Sequence, residues 1–179
     1  VQYRWITTIV GGLRAVFRDD PNVFVAGDLF WYPVEGDAAT RVTPDALVAL
    51  GRPRGDRGSY RQWEEGNVAP QVVFEVLSPG NRFGEMQRKR EFYERFGVEE
   101  YYVVDPSLTE PAVVTLEGWR RAGNQLVPIV GVDGWVSPKL NVRFEVVGRG
   151  LRLIGPDGRP VLGYDEVAFQ RGQGVEGAV

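Results

Sequence analysis

Residues 70–106, PQVVFEVLSPGNRFGEMQRKREFYERFGVEEYYVVDP, constrain the fold of this 179-residue chain more than any other stretch. They read as strand, turn, helix, strand. Residues 72–77 are apolar except for Glu75, which suits a central strand covered on both faces. A helix is expected over about residues 85–96, with Met86, Phe92, Tyr93 and Phe96 on one stripe at spacings of three and four. At about 100° per residue Lys89 falls inside that stripe, between Phe96 and Tyr93. A crossover helix makes the two flanking strands parallel, with a right-handed connection. A carboxylate in mid-strand and an ammonium on the core-facing side of the next helix both occupy positions that a purely structural segment would fill with apolar residues.

Composition narrows the chemistry open to such a pair. The chain has no cysteine and no histidine, so disulfides, thiolate metal sites and imidazole bases are excluded. Carboxylates, Lys, Tyr, Ser or a hard metal ion remain. Of the 21 Lys and Arg residues only Lys89 and Lys139 are lysines, which makes a lysine on an apolar stripe more notable. A net charge of −3 means that any surface for nucleic acid must be a local basic one. No apolar run approaches the roughly 18 residues of a membrane-spanning helix, and no signal-peptide pattern is present. A cytoplasmic location without membrane association is therefore expected.

Before the organising unit, residues 6–18 carry a helical apolar pattern ended by Asp19-Asp20-Pro21. Residues 22–34 are strand-like, interrupted at Gly27-Asp28, and residues 41–50, RVTPDALVAL, form a second strand in which Pro44 indicates an edge or a bulge. Residues 51–66 read as a polar loop. Beyond Pro106 strands are expected over residues 112–119, 125–130, 142–147 and 150–154, with a turn over 120–124 and another at Pro156-Asp157-Gly158. Residues 1–169 are expected to form one domain, and residues 170–179 a loosely packed Gly-rich tail.

Three carboxylates interrupt apolar strands: Asp28, Asp45 and Glu75. A buried carboxylate costs several kcal/mol unless it is paired or bound to a metal. For Asp28 an ion pair with an arginine is the simpler account. For Asp45 and Glu75 together with Lys89 a functional site is the better one. Arg52, Arg54, Arg57 and Arg61 make the densest basic loop, suited either to gripping phosphates or to simple solvation. Tyr93 reads as core packing, Ser78-Pro79-Gly80 as the turn approaching the helix, Trp63 as a core anchor, and Glu64 and Glu65 as solvated.

The order of Thr43-Pro44-Asp45, Glu75 and a later lysine resembles the PD-(D/E)xK nuclease superfamily. RVTPDALVAL, SYRQWEEG, VVFEVLSPG and KREFYERFGVEEYYVVDP together resemble, more closely, the Uma family of putative restriction endonucleases. The superfamily usually has lysine two residues after the glutamate, where this chain has Leu77. The resembled family draws its lysine from the following helix in a K-x-x-x-Y pattern, here Lys89 and Tyr93.

That resemblance implies an α/β (α+β) fold with a restriction-endonuclease-like core. A mixed sheet of about five strands would be flanked by the two helices, with additional C-terminal strands. It also implies a Mg²⁺- or Mn²⁺-dependent endonuclease that hydrolyses DNA phosphodiester bonds, acting as a homodimer. Mg²⁺ takes oxygen ligands and keeps several waters, so Asp45, Glu75 and the carbonyl of Val76 would supply the protein's share. Lys89 would orient water or offset charge on the phosphate, and Asp28 would stand in an outer shell. Two other readings stay open: an inactive nucleic-acid-binding or assembly protein on the same fold, and a carboxylate-pair glycosidase, in which Lys89 would have no role.

Overall fold

A computed structural model describes residues 2–78, 83–106 and 113–161. Its centre is a six-stranded mixed sheet in the order β1-β3-β5-β6-β7-β8. These strands are β1 (Val23–Gly27), β3 (Ala46–Leu50), β5 (Val72–Val76), β6 (Glu100–Pro106), β7 (Val114–Ala122) and β8 (Gln125–Pro128). β5 and β6 pair in parallel across the crossover helix α2 (Phe83–Arg95), and every other neighbouring pair in this sheet is antiparallel. The α+β architecture, with its mixed sheet and additional C-terminal strands, is the one expected. The sheet gains a sixth strand because β7 and β8 continue it beyond β6.

Every residue of β5 is buried, so both faces of this strand are covered. Side chains alternate between the faces. Phe74 and Val76 point to one core with Val48, Tyr102 and Val104, covered by α1 (Gln2–Val16) and by a second sheet. That sheet has the order β12-β11-β10-β9, from β9 (Val136–Ser137), β10 (Val142–Val147), β11 (Gly150–Ile154) and β12 (Pro160–Val161). Val73 points to the other core with Leu47 and Tyr101, under α2 and a short parallel ladder of β2 (Trp31–Tyr32) with β4 (Tyr60–Arg61). Close approach of α1 favours a glycine at position 27: a Cβ there would lie 3.0 Å from Val10 and 3.2 Å from Ile6.

Several expectations shift locally. The strand expected over residues 41–50 begins only at Ala46. Pro44 has no amide hydrogen to donate, and Val42 forms an isolated bridge with Trp31 instead. β7 runs on to Ala122, so the turn narrows to Gly123 and Asn124, with Gly123 at φ 64°. The loop over residues 51–66 is not purely polar or solvated. Tyr60 is fully buried, stacks on Phe24 and donates to the Val68 carbonyl at 2.7 Å. Trp63 is only half-buried. Pro79, Gly80 and the tail over residues 170–179 lie outside the described residues. Among the described residues no helix is long and apolar enough to cross a membrane.

Glu65 departs most from expectation. It is buried and receives Arg52 Nε at 3.0 Å and Arg57 Nε at 2.5 Å. Burial alone would raise its carboxyl, but the hydrogen bonds and charges of Arg57 and Arg52 outweigh it and hold the pKa below 4.5. A pKa lowered in the folded state stabilises the fold above the unfolded value and is lost as pH falls through the folded one. Glu65→Gln is therefore expected to destabilise by about 1–3 kcal/mol at pH 7. The gap from the parent chain should close as pH falls below the ordinary carboxylate range, which denaturant melts across the acid range would measure.

Candidate active site

The acid pair follows from strand register. β3 and β5 pair antiparallel with Ala46 opposite Phe74, so one step outward sets Asp45 beside Glu75 on the face that α2 covers. Asp45 is buried, and its Oδ2 accepts the Val76 amide at 2.7 Å. Glu75 has no solvent exposure at all. α2 then brings two donors to it from successive turns. Lys89 Nζ lies 3.0 Å from Oε2, and the Tyr93 hydroxyl donates to Oε1 at 2.5 Å. Lys89 is half-buried and also donates to the Thr43 carbonyl at 3.3 Å, just ahead of Asp45. The Val76 carbonyl accepts Gln2 Nε2 at 3.0 Å.

The electrostatics follow from this burial. Loss of solvent pushes the Glu75 carboxyl up from 4.5 to about 8. The Lys89 ammonium pulls it down, the Asp45 charge pushes it up, and the hydrogen bonds from Tyr93 and Lys89 pull it down again. Burial also raises the Tyr93 phenol well above its ordinary value, with the Glu75 charge adding to the shift. Tyr93 thus remains a neutral donor. Beyond Glu75, its ring stacks on the fully buried Trp31 and packs against Tyr101.

The other sequence-selected residues are not gathered here. Asp28 is exposed in the turn after β1, with φ at 53°, a backbone region that Asp tolerates better than most residues. It is linked to Asp45 only through the backbone, its amide donating to the Asp45 carbonyl at 3.0 Å. The account of Asp28 as a carboxylate interrupting a buried strand is thereby overturned. The arginine loop leaves the far end of β3, about 15 Å from Asp45 at the usual rise per strand residue. Arg52 and Arg57 hold Glu65 there, Arg54 binds the carbonyls of Phe17, Arg18 and Asp20, and exposed Arg61 pairs with Glu64.

Tyr93 was expected to do no more than pack. Its hydroxyl contact with Glu75 was still open to inference, since four residues after Lys89 on a helix is the same face. If that contact holds Glu75 in place, Tyr93→Phe keeps the ring and leaves one buried carboxylate oxygen without its donor. The expected cost is about 1–3 kcal/mol, measurable by denaturant unfolding. An unchanged midpoint would mean that Glu75 is satisfied without the hydroxyl.

Comparison with known proteins gives the family and the fold. The Uma2 family, described as "Putative restriction endonuclease", matches residues 4–142, and the chain belongs to that family. A solved structure with the same fold is that of a putative nuclease belonging to DUF820 from Anabaena variabilis ATCC 29413. The two chains are 15% identical with a TM-score of 0.51, over 74% of this chain and 69% of that one. No curated protein matches.

Proposed function

We propose that this member of the Uma2 family is a divalent-metal-dependent endonuclease that hydrolyses DNA phosphodiester bonds at the Asp45–Glu75–Lys89 site. The observation that carries the reading is the 3.0 Å contact of Lys89 with a fully buried Glu75, beside a buried Asp45. One ammonium, paired with Glu75, stands beside two carboxylates, so the site is short of positive charge when both are ionised. A core position would have been filled with an apolar residue instead.

The donor set fits Mg²⁺ or Mn²⁺. All the donors are oxygens, as a hard cation requires. Among the described residues no group of three acidic side chains is placed to hold a metal, so the two carboxylates need a backbone partner. The Val76 carbonyl is adjacent, and its bond from Gln2 leaves a second lone pair. Each carboxylate likewise keeps acceptor capacity beyond the bonds described. Asp45, Glu75 and the Val76 carbonyl would hold the ion. Bound there, it would polarise the scissile phosphate and make a bound water more acidic.

The chain's own groups do the rest. Tyr93 fixes the Glu75 carboxylate from below, and the Val76 amide fixes Asp45. Lys89 offers a positive charge at the partly open side of the pair, where it would offset charge developing on phosphate oxygens. Asp28, exposed one strand further out, remains a candidate for an outer shell. The arginine loop, at the other end of β3, would reach only flanking phosphates. A homodimer would let two such sites address both strands of a duplex.

Two substitutions test the reading. Glu75→Gln keeps the side chain's size and removes its charge, so it should fold and lose most Mg²⁺ or Mn²⁺ affinity by calorimetric titration. Equal metal binding by both proteins would remove Glu75 from the ligand set. Lys89→Met keeps length and helix propensity. In Mg²⁺ it should melt no lower than the parent chain, while plasmid cleavage falls by roughly 10²–10⁴-fold. Unfolding of the variant even in Mg²⁺ would make Lys89 a structural ion-pair partner. Cleavage at the parent rate would remove it from the active site.

A further inference from the structure

Beside Glu75, on the side away from Asp45, a groove of about 300 Å³ runs between α2 and the strands β6 and β7. Its position is set by register. Val103 pairs with Glu75 across β5 and β6, and Glu117 pairs with Val103 across β6 and β7. Asp45, Glu75, Val103 and Glu117 therefore form one lateral row, with adjacent strands about 4.8 Å apart. The groove begins one strand from Glu75 and ends at Glu117.

Its walls are mostly apolar and aromatic, and the polar groups at them are few. Leu77 and Met86 line it, with Tyr101 and Trp119 stacked on one another at 5.2 Å. Two charges of opposite sign join them. The Arg90 guanidinium lies over the Trp119 ring at 5.2 Å, and the Glu117 side chain is exposed. No ion pair joins these two residues. Tyr101 is 1% exposed, and among the described residues its hydroxyl is the one buried side-chain polar atom without a hydrogen-bond partner.

We propose that this groove receives one unstacked nucleobase, guanine in preference to the others, from a nucleotide next to the scissile phosphate. The proposal rests on the nuclease reading and names part of its substrate. A flat aromatic guest with polar edges matches aromatic and aliphatic walls bearing a few polar groups. Guanine carries two acceptors, O6 and N7, on one edge, which suit the planar fork of Arg90. Its N1–H and N2 amino donors lie on the neighbouring edge, which suits the Glu117 carboxylate. Adenine puts a donor where guanine has O6, and the pyrimidines have no N7. One cation and one anion at the same apolar groove thus select guanine by charge complementarity. The base must leave its stack to enter, so the favoured substrate is a nucleotide that is unpaired or easily unpaired beside the cut.

The test separates base binding from cleavage. The full chain in EDTA is titrated with 5′-GMP, 5′-AMP, 5′-CMP and 5′-UMP, following the Trp119 indole N–H signal, which is assigned by its loss in Trp119→Phe. All four probes share the phosphate, so differences report the base. GMP is expected to move the signal and to bind at least about tenfold tighter than the other three. Glu117→Gln, at an exposed position, should fold normally and lose that advantage, and Arg90→Gln should do the same. Equal affinity for all four, or no movement at Trp119 with any, overturns the proposal. So does a self-associated chain whose groove is covered by a second copy and takes up no mononucleotide. A chain that binds GMP at Trp119 yet cuts no oligonucleotide in Mg²⁺ overturns the nuclease reading and leaves the base site standing. Cleavage with neither guanine at the cut nor GMP preference overturns the base site alone.

Discussion

A carboxylate with no solvent exposure sits in the middle of the central sheet, and the placement of α2 depends on it. Glu75 is satisfied by Lys89 and Tyr93, one helical turn apart on that helix. Tyr93 is the one fully buried residue of α2, and Met86, Phe92 and Phe96 are half-buried. So few buried apolar groups would fix the helix loosely. A charge-assisted contact and a short hydroxyl bond, both directed at one carboxylate, fix its rotation and register far more narrowly than apolar contact can. The cost of burying Glu75 and the precision of the α2 docking are two aspects of one arrangement.

The two faces of the sheet divide the work. Under α1 and the second sheet the packing is dominated by apolar and aromatic groups, with Phe74, Tyr102 and Phe144 in mutual contact. Its polar component is a closed network: buried Glu100 accepts from the Tyr102 and Ser137 hydroxyls and from the Lys139 amide, and Trp135 donates to Tyr102. These bonds join β6 to the second sheet. The α2 face instead holds the buried Asp45 and Glu75 beside the half-buried Lys89. The additional C-terminal strands β9 to β12 lie on the first face, where they can stabilise the sheet without disturbing the second.

Much of this was legible in the sequence, for identifiable reasons. Glu75 stood out because every neighbour in its strand is apolar, and Lys89 because helical spacing put it on the stripe with Tyr93 and Phe96. Both signals are local, and local periodicity survives folding. Asp45 stood out as a carboxylate interrupting an apolar strand, but its closeness to Glu75 was legible only through the motif, since it is a matter of antiparallel register between strands about 30 residues apart. The arginine loop shows the opposite case. It follows Asp45 closely in sequence, but an extended strand intervenes and carries it to the far end of the sheet, where Arg52 and Arg57 turn inward to Glu65. Asp28 misled because an apolar run continues on both sides of it. The positive φ that turns it outward has no signature in hydrophobicity.

Residue 77 lies two positions after Glu75, on the same side of the strand, where the superfamily's usual spelling has lysine. In this chain Lys89 reaches Glu75 from the helix and contacts the Thr43 carbonyl, so it approaches from the Asp45 side. The opposite flank of Glu75 is released from supplying a charge. Leu77 occupies it and forms part of the groove wall with Met86 and Tyr101. A lysine at position 77 would place an ammonium at that wall and compete with Arg90 for any acceptor lodged there. Moving the charge to the helix therefore keeps the positive potential on one side of the acid pair and an apolar surface on the other. On the proposed reading, a phosphate and the base attached to it make opposite demands of a site, and this separation would let two adjoining surfaces meet them.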